Sequence, residues 1–239
     1  MKRLLLLVSL LFPLLAQARR PGVTVDGTLL LSSAYLWRGE KVCGLHFNPD
    51  VALHIGNLTL ENYSFLATDG QYKEIDFDLS YKAGDFTFHI ADYYFHYTDP
   101  EKADDYFNWR KGQGEHCDEV ALCYDSSAIP LNVKWFTFFW GQWIPDSEGR
   151  ADRLSFSSYL EFETYCSVGE AGRLSLNLGA SILKGPYTGF SKDFMPIHIA
   201  LGYSHSFSAG DFSIPLRSTI VFNPYLKTCL AEAAVGVAF

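Results

Sequence analysis

The feature that most constrains this chain is an alternation of apolar and polar side chains with a period of two, repeated in segment after segment. Ile75, Phe77, Leu79 and Tyr81 alternate with Asp76, Asp78 and Ser80. Leu154, Phe156, Leu160 and Phe162 alternate with Ser155, Ser157, Glu161 and Glu163, and Leu174 to Ile182 alternate with Ser175, Asn177, Gly179 and Ser181. Ile197, Ile199, Leu201 and Tyr203 do the same against His198, Ala200, Gly202 and Ser204. Successive side chains of a strand point to opposite faces, so each segment has one apolar face and one polar or small face. In the last segment Ala231, Ala233, Val235, Val237 and Phe239 carry the apolar face to the final residue.

Turn signals cut the chain into pieces close to the ~10 residues of a tilted membrane-spanning strand. Twelve strands are predicted, at 23–37, 45–56, 58–67, 72–83, 85–97, 117–126, 131–142, 153–166, 173–183, 194–207, 211–222 and 228–239. The links alternate in length. Gly56-Asn57, Ala83 to Asp85, Ser126 to Pro130, Gly169 to Gly172 and Ser208 to Asp211 are short and rich in turn formers, whereas 98–116, 143–152 and 184–193 are the longest. Transmembrane barrels have short periplasmic turns and longer outer loops. The expected fold is therefore an all-β, antiparallel, up-and-down transmembrane barrel of twelve strands. A soluble sandwich also alternates, but its links need not alternate in length.

The start of the chain agrees. Lys2 and Arg3 precede an apolar run from Leu4 to Ala16, and Ala16-Gln17-Ala18 supplies a small-x-small cleavage site. Residues 1–18 are expected to be a signal peptide and 19–239 the outer-membrane barrel domain. Removing Lys2 and Arg3 leaves 17 Lys+Arg against 27 Asp+Glu, a formal charge of −10. That balance argues against nucleic acid as a partner, because phosphate binding needs clustered cations. With 19 Phe, 14 Tyr and 5 Trp the chain is heavily aromatic, which suits a lipid-facing wall with aromatic interfaces. The five cysteines (43, 117, 123, 166 and 229) form no metal spacing, and unpaired thiols are the favoured expectation.

Ser33-Ala34-Tyr35-Leu36-Trp37-Arg38-Gly39 resembles the S-x-Y-x-W/F-R-G signature near the start of TorF-type porins, the Gcw_chp family. The likeness continues in order. Pro49 with Leu53 resembles the second strand of that family, and Lys73-Glu74-Ile75-Asp76 to Tyr81 resembles its E-I/V-D-L-x-L-x-Y strand. Tyr93 to Tyr97 and His116 to Tyr124 resemble the strands flanking its long loop. Asn223-Pro224 and Phe239 resemble the C-terminal hairpin of Bacteroides-like members. The resemblance covers the mature chain and implies an outer-membrane barrel acting as a porin, with Tyr35, Trp37, Arg38 and Gly39 as signature residues.

For such a barrel the inward face carries the function. Asp76, Asp78, Glu119, Asp125, Glu161, Glu163 and Glu232 fall on the polar phase of their strands, with Arg217 and Lys134 opposite. These are the candidate pore-lining residues, and a carboxylate-weighted lumen concentrates cations and disfavours anions. The alternative is a closed ion-pair network plugging a narrow barrel; twelve strands lie between the filled eight and the open sixteen. Arg38 is expected at the outer end of the first strand. It could grip an anionic solute or a lipopolysaccharide phosphate bidentately, but an exposed interface cation paired with a loop carboxylate is preferred. The 98–116 loop could fold inward as a constriction or stay outside. The aromatic run from Lys134 to Trp143 should put one set of rings inside, and a phase shift near Asp92 suggests a bulge.

Small solutes and outer-membrane lipid or lipopolysaccharide are the expected partners, and no cofactor or metal is expected. The rival function is a lipid-modifying barrel enzyme. It needs a Ser–His pair, and none of the seven histidines sits in a recognisable arrangement or beside a G-x-S-x-G elbow. A purely structural or adhesive barrel is the third class.

Overall fold

Twelve of the alternating segments hydrogen-bond edge to edge and close on themselves. A computed structural model describes residues 22–97 and 105–239. The expected signal peptide and residues 98–104 lie outside the described residues. In chain order the strands are β1 (Val23–Ser32), β2 (Tyr35–Trp37), β3 (Glu40–Cys43), β4 (His46–Ile55), β5 (Leu58–Ala67), β6 (Tyr72–Ala83), β7 (Phe86–Tyr97) and β8 (His116–Asp125). There follow β9 (Leu131–Trp140), β10 (Trp143–Pro145), β11 (Ala151–Leu154), β12 (Ser158–Val168), β13 (Gly172–Ser181), β14 (Met195–Ala209), β15 (Phe212–Asn223) and β16 (Thr228–Ala238). The barrel is all-antiparallel in the order β1-β16-β15-β14-β13-β12-β9-β8-β7-β6-β5-β4, back to β1. The other four strands form two hairpins, β2–β3 and β10–β11.

Closure removes the sheet edges that would otherwise leave backbone groups unpaired. The seam joins the two ends of the sheet: Thr28 to Ser32 pair with Ala238 to Ala234. Gly27 and Phe239 exchange both backbone bonds, at 3.2 and 3.0 Å. The tight turns after β4, β6, β8, β12 and β14 share the end of the barrel that holds Val23 and Phe239, as the link lengths predict. The long links all lie at the other end.

The outer wall is apolar. Leu29, Leu60, Leu79, Ile90, Leu122, Leu176, Leu201, Ile220 and Val235 are all exposed. Their strand neighbours, among them Leu30, Asp78, Ala91, Ala121 and Ala234, face inward and are buried. A continuous apolar exterior around a polar interior is the arrangement that hydrocarbon solvates and water does not.

Two expectations need correction. The first strand does not run to Trp37; it leaves the wall after Ser32, and Tyr35 to Cys43 form a separate hairpin. The bulge near Asp92 is absent, since β7 pairs in unbroken register with both β6 and β8. The phase shift has a different cause. Asp92 and Tyr94 do point outward, but near the loop end the described part of the 98–116 link covers this wall. Tyr94 is buried against Tyr106 and His116, and Trp109 stacks on the His116 ring at 3.8 Å. Bulges lie elsewhere, at Asp118/Glu119 and Gly179/Ala180.

The division between the two faces predicts the response to charge. Leu176→Arg, on the outer face midway along β13, should destabilise the folded barrel by about 2–4 kcal/mol. Asn177→Arg, one residue on and facing inward, should cost much less. Denaturant titration in lipid vesicles measures both, and equal losses would contradict the assignment of faces.

Candidate functional site

The hairpin β2–β3 turns into the barrel. Its two-residue tip is Arg38-Gly39, with φ of +48° and +91°. Positive φ at both central positions marks the hairpin turn whose twist matches the flanking strands. Gly39 is also fixed by space: a Cβ there would lie 2.0 Å from the Ile197 carbonyl oxygen of β14. The Asn223 amide at the end of β15 donates to the Gly39 carbonyl at 3.3 Å, while its side-chain oxygen accepts from the backbone N–H groups of Tyr225 and Leu226. One buried asparagine thus caps its own turn and ties the hairpin tip to the wall.

Arg38 is 8% exposed. Its guanidinium forms a two-pronged pair with Glu119 on β8, Nη1 donating to Oε1 at 2.7 Å and Nη2 to Oε2 at 2.6 Å. Nη1 also donates to the Tyr187 hydroxyl at 2.6 Å, and the Tyr93 hydroxyl donates to Glu119 at 3.0 Å. The planar cation is packed among rings, 4.7 Å from the centre of Trp37, 4.5 Å from Phe136 and 4.8 Å from Tyr159. A guanidinium is suited to this because it stacks on aromatic faces while its edge stays hydrogen-bonded. Gly179 on β13 leaves the room Tyr159 occupies; a Cβ there would sit 1.9 Å from the Tyr159 hydroxyl. Arg38 is therefore not the exposed interface cation expected from the sequence. It enters the lumen, and its partner is a wall carboxylate rather than a loop one.

A second outer link completes this layer. Residues 185–191 make a 3₁₀ turn, Pro186–Thr188, that brings Tyr187 onto Arg38 and Trp37. The Tyr225 hydroxyl donates to the Thr188 carbonyl at 3.3 Å. Burial pushes the Tyr187 hydroxyl well above its ordinary pKa, so it remains a neutral hydrogen-bonding group. Burial, with Glu74 and Asp69 nearby, raises the Cys43 thiol to about 11. All five cysteines are free.

Cavities lie on both sides of the layer, and one of about 350 Å³ lies beside it, lined by Arg38, Tyr63, Phe136, Tyr159, Glu161 and His198. On the loop side is a cavity of about 230 Å³ lined by Tyr35, Trp37, Glu40, Tyr72, Glu74, Phe138 and Tyr187. On the tight-turn side is one of about 390 Å³ bounded by Glu61, Asp78, His89, Glu119, Cys123, Asp125 and Lys134. Tyr93 lines both. Of the predicted pore-lining residues, Asp76, Asp78 and Glu119 are buried on the inner face, and Asp125 stands at the mouth of the lower cavity. Glu161 and Glu163 flank Lys134 at 3.7 and 3.6 Å, and Arg173 reaches Glu163 at 2.5 Å. Arg217 and Glu232 lie within electrostatic reach of one another. Phe136 and Phe138 supply the inward rings expected of the aromatic run.

The sequence missed part of the acidic lining. Asp26, Asp50, Glu61 and Glu74 also face inward, with His54 paired to Asp26 at 3.1 Å and Asp50 beside Glu61. Cross-strand alignment of β1, β4, β5 and β6 gathers them on one side of the barrel. His46, His54, His89, His96 and His116 bond carboxylates, a threonine hydroxyl or backbone carbonyls, and the buried Nδ1 of His198 has no partner; among the described residues no histidine bonds a serine.

No family model matches the chain, and no curated protein matches it. Solved structures similar in outline include OmpF of Salmonella typhi in complex with daunomycin, at 8% identity and a TM-score of 0.38, covering 91% of this chain and 97% of that one. The CymD monoaromatic hydrocarbon channel is 9% identical with a TM-score of 0.41, covering 91% and 87%. The translocator domain of the autotransporter NalP from Neisseria meningitidis is 9% identical with a TM-score of 0.34, covering 100% and 97%. The function has to be argued from the chain's own interior.

The buried pair carries a quantitative expectation. Arg38→Ala and Glu119→Ala should each destabilise the barrel by about 3–5 kcal/mol, because each strands a buried charge. The double variant should lose clearly less than the sum. Denaturant midpoints measure the cycle, and simple additivity would show that the two side chains do not depend on each other.

Proposed function

We propose that this protein is an outer-membrane diffusion channel for small solutes, cation-preferring, and narrowed towards its loop end by the β2–β3 hairpin. The observation that carries the reading is an acid-lined interior inside a closed barrel with an apolar outer wall. A cell envelope is where such a wall finds hydrocarbon, and the expected signal peptide is the route there. The Ser33 to Gly39 signature supports membership of the TorF-type porins, in which these residues would form the inward hairpin.

The carboxylates on the inner face outnumber their local cations. Lys134 and Arg173 are engaged by Glu161 and Glu163, and Arg38 by Glu119. Asp26, Asp50, Glu61, Asp76, Asp78 and Asp125 have no Lys or Arg ion-pair partner among the described residues. A low-dielectric wall focuses their field along the lumen, raising the local concentration of cations. Salt screens that field over ~8 Å at physiological ionic strength, so selectivity should fall as salt rises.

Reversal potentials across a planar bilayer in a potassium chloride gradient test the reading. The expected sign is that of cation preference, weakening at high salt and on Asp78→Asn. Anion preference would refute the acidic-lumen argument, and complete absence of current from folded barrels, with or without the hairpin contacts, would favour a structural or adhesive role.

A further inference from the structure

Along the inner face of β6, Glu74, Asp76 and Asp78 follow one another at every second residue. They run from the loop-side cavity, past the Arg38 layer, to the lower cavity. Alternate residues of a strand are ~7 Å apart, so the three carboxylates make a ladder beside the hairpin. Their partners differ. Asp78 is bonded to His89 at 3.0 Å. Glu74 accepts from the Tyr35 hydroxyl at 3.4 Å and from the Tyr72 hydroxyl, so its donors are neutral. Asp76 is fully buried, and neither of its carboxylate oxygens has a hydrogen-bond partner. The group beside it is the Glu74 carboxyl, close enough to share a proton with it.

Among the described residues neither Glu74 nor Asp76 forms an ion pair with a Lys or Arg, so the two buried carboxyls either hold a proton or take a positive charge from outside the chain. The cavity that opens onto Glu74 is walled by rings, including Tyr35, Trp37, Tyr72 and Phe138, with Glu40 and the solvent-exposed Lys41 also on its lining. Tyr35 is held rigid there, stacked on Phe65 at 3.8 Å with the planes 6° apart. Among the described residues no group of three or more metal-ligating side chains stands together, which counts against a divalent metal. Ring faces and a carboxylate together recognise alkylammonium groups, the rings through their quadrupoles and the carboxylate through charge.

We infer that the loop-side cavity is a binding site for small organic ammonium compounds, with Glu74 as the counter-charge on its wall, Asp76 buried behind it, and Tyr35, Trp37 and Tyr72 as the cage. The site deepens the channel reading, on which it rests for how the ligand reaches and leaves it.

The test is calorimetric titration of the detergent-folded, full barrel with choline and with 3,3-dimethylbutan-1-ol, its uncharged isostere of nearly the same shape. Choline should bind saturably, and the alcohol at least about tenfold more weakly. Glu74→Gln should weaken choline by about tenfold or more and leave the alcohol unchanged. Calcium at the same concentration should not compete. Heat-modifiable mobility on gels reports whether each variant is folded, and Asp76→Asn serves in the same way should Glu74→Gln fail to fold. Equal binding of choline and the alcohol, absence of saturable choline binding (as when the two carboxyls simply share a proton), or insensitivity of folded variants would each overturn the site. Binding is read without any current, so a barrel that conducts but ignores choline loses only this inference. A barrel that binds choline but never conducts loses the channel.

Discussion

A guanidinium inside a barrel must have its counter-charge waiting on the wall, and the pairing of Arg38 with Glu119 fixes where three outer links can lie. The hairpin reaches the lumen because its tip can take positive φ at two successive residues. It stays there because the charge is matched on β8, the rings of β9, β12 and the 185–191 link close around it, and Asn223 grips the backbone beyond it. Each contact is ordinary in strength. Together they leave no arrangement in which Arg38 withdraws without stranding Glu119 among aromatic side chains, and a stranded buried charge is among the costliest defects a fold can carry.

The barrel makes that interior possible by assigning the two faces of each strand to different solvents. Outward residues meet hydrocarbon, so inward residues are free to be acidic, small or aromatic without loss of wall stability. The acidic residues are not spread evenly. They gather on β1, β4, β5 and β6, whereas the cations Lys134 and Arg173 lie on β9 and β13, where they neutralise Glu161 and Glu163. The hairpin therefore crosses a lumen with a carboxylate-rich side, whose partners are His54, His89 and Arg217, and a side where Lys and Arg pair the acids directly.

Barrel strand number, strand direction and the placement of Val23 and Phe239 at one end were legible in the sequence, because alternation and link length are local signals. Asp76 and Asp78 were legible for the same reason, each flanked by large apolar residues that point outward, and Glu119 followed from the phase of Val120 and Leu122. Arg38 was not. Leu31, Tyr35 and Trp37 keep the alternation going past Ser32, so periodicity alone carries the strand on through residues that leave the wall. The signal that could have found the hairpin was the Arg38-Gly39 pair between the aromatic Tyr35 to Trp37 and the charged Glu40-Lys41. Asp50 and Glu61 escaped because Asn48 to Asp50 and Glu61 to Ser64 lack clean alternation. The outward Asp92 and Tyr94 are explained only by the covering Tyr106 and Trp109, a tertiary contact that no strand pattern encodes.

The central claim is that the hairpin, seated by Arg38 on Glu119, sets the width of the lumen. Single-channel conductance of the wild type against Glu119→Ala, in the same lipid and salt, tests it most directly. The account predicts small or rare openings in the wild type and conductance several-fold larger, or far more frequent opening, once the seat is removed and the barrel remains folded. Equal conductance in the two folded proteins would contradict it.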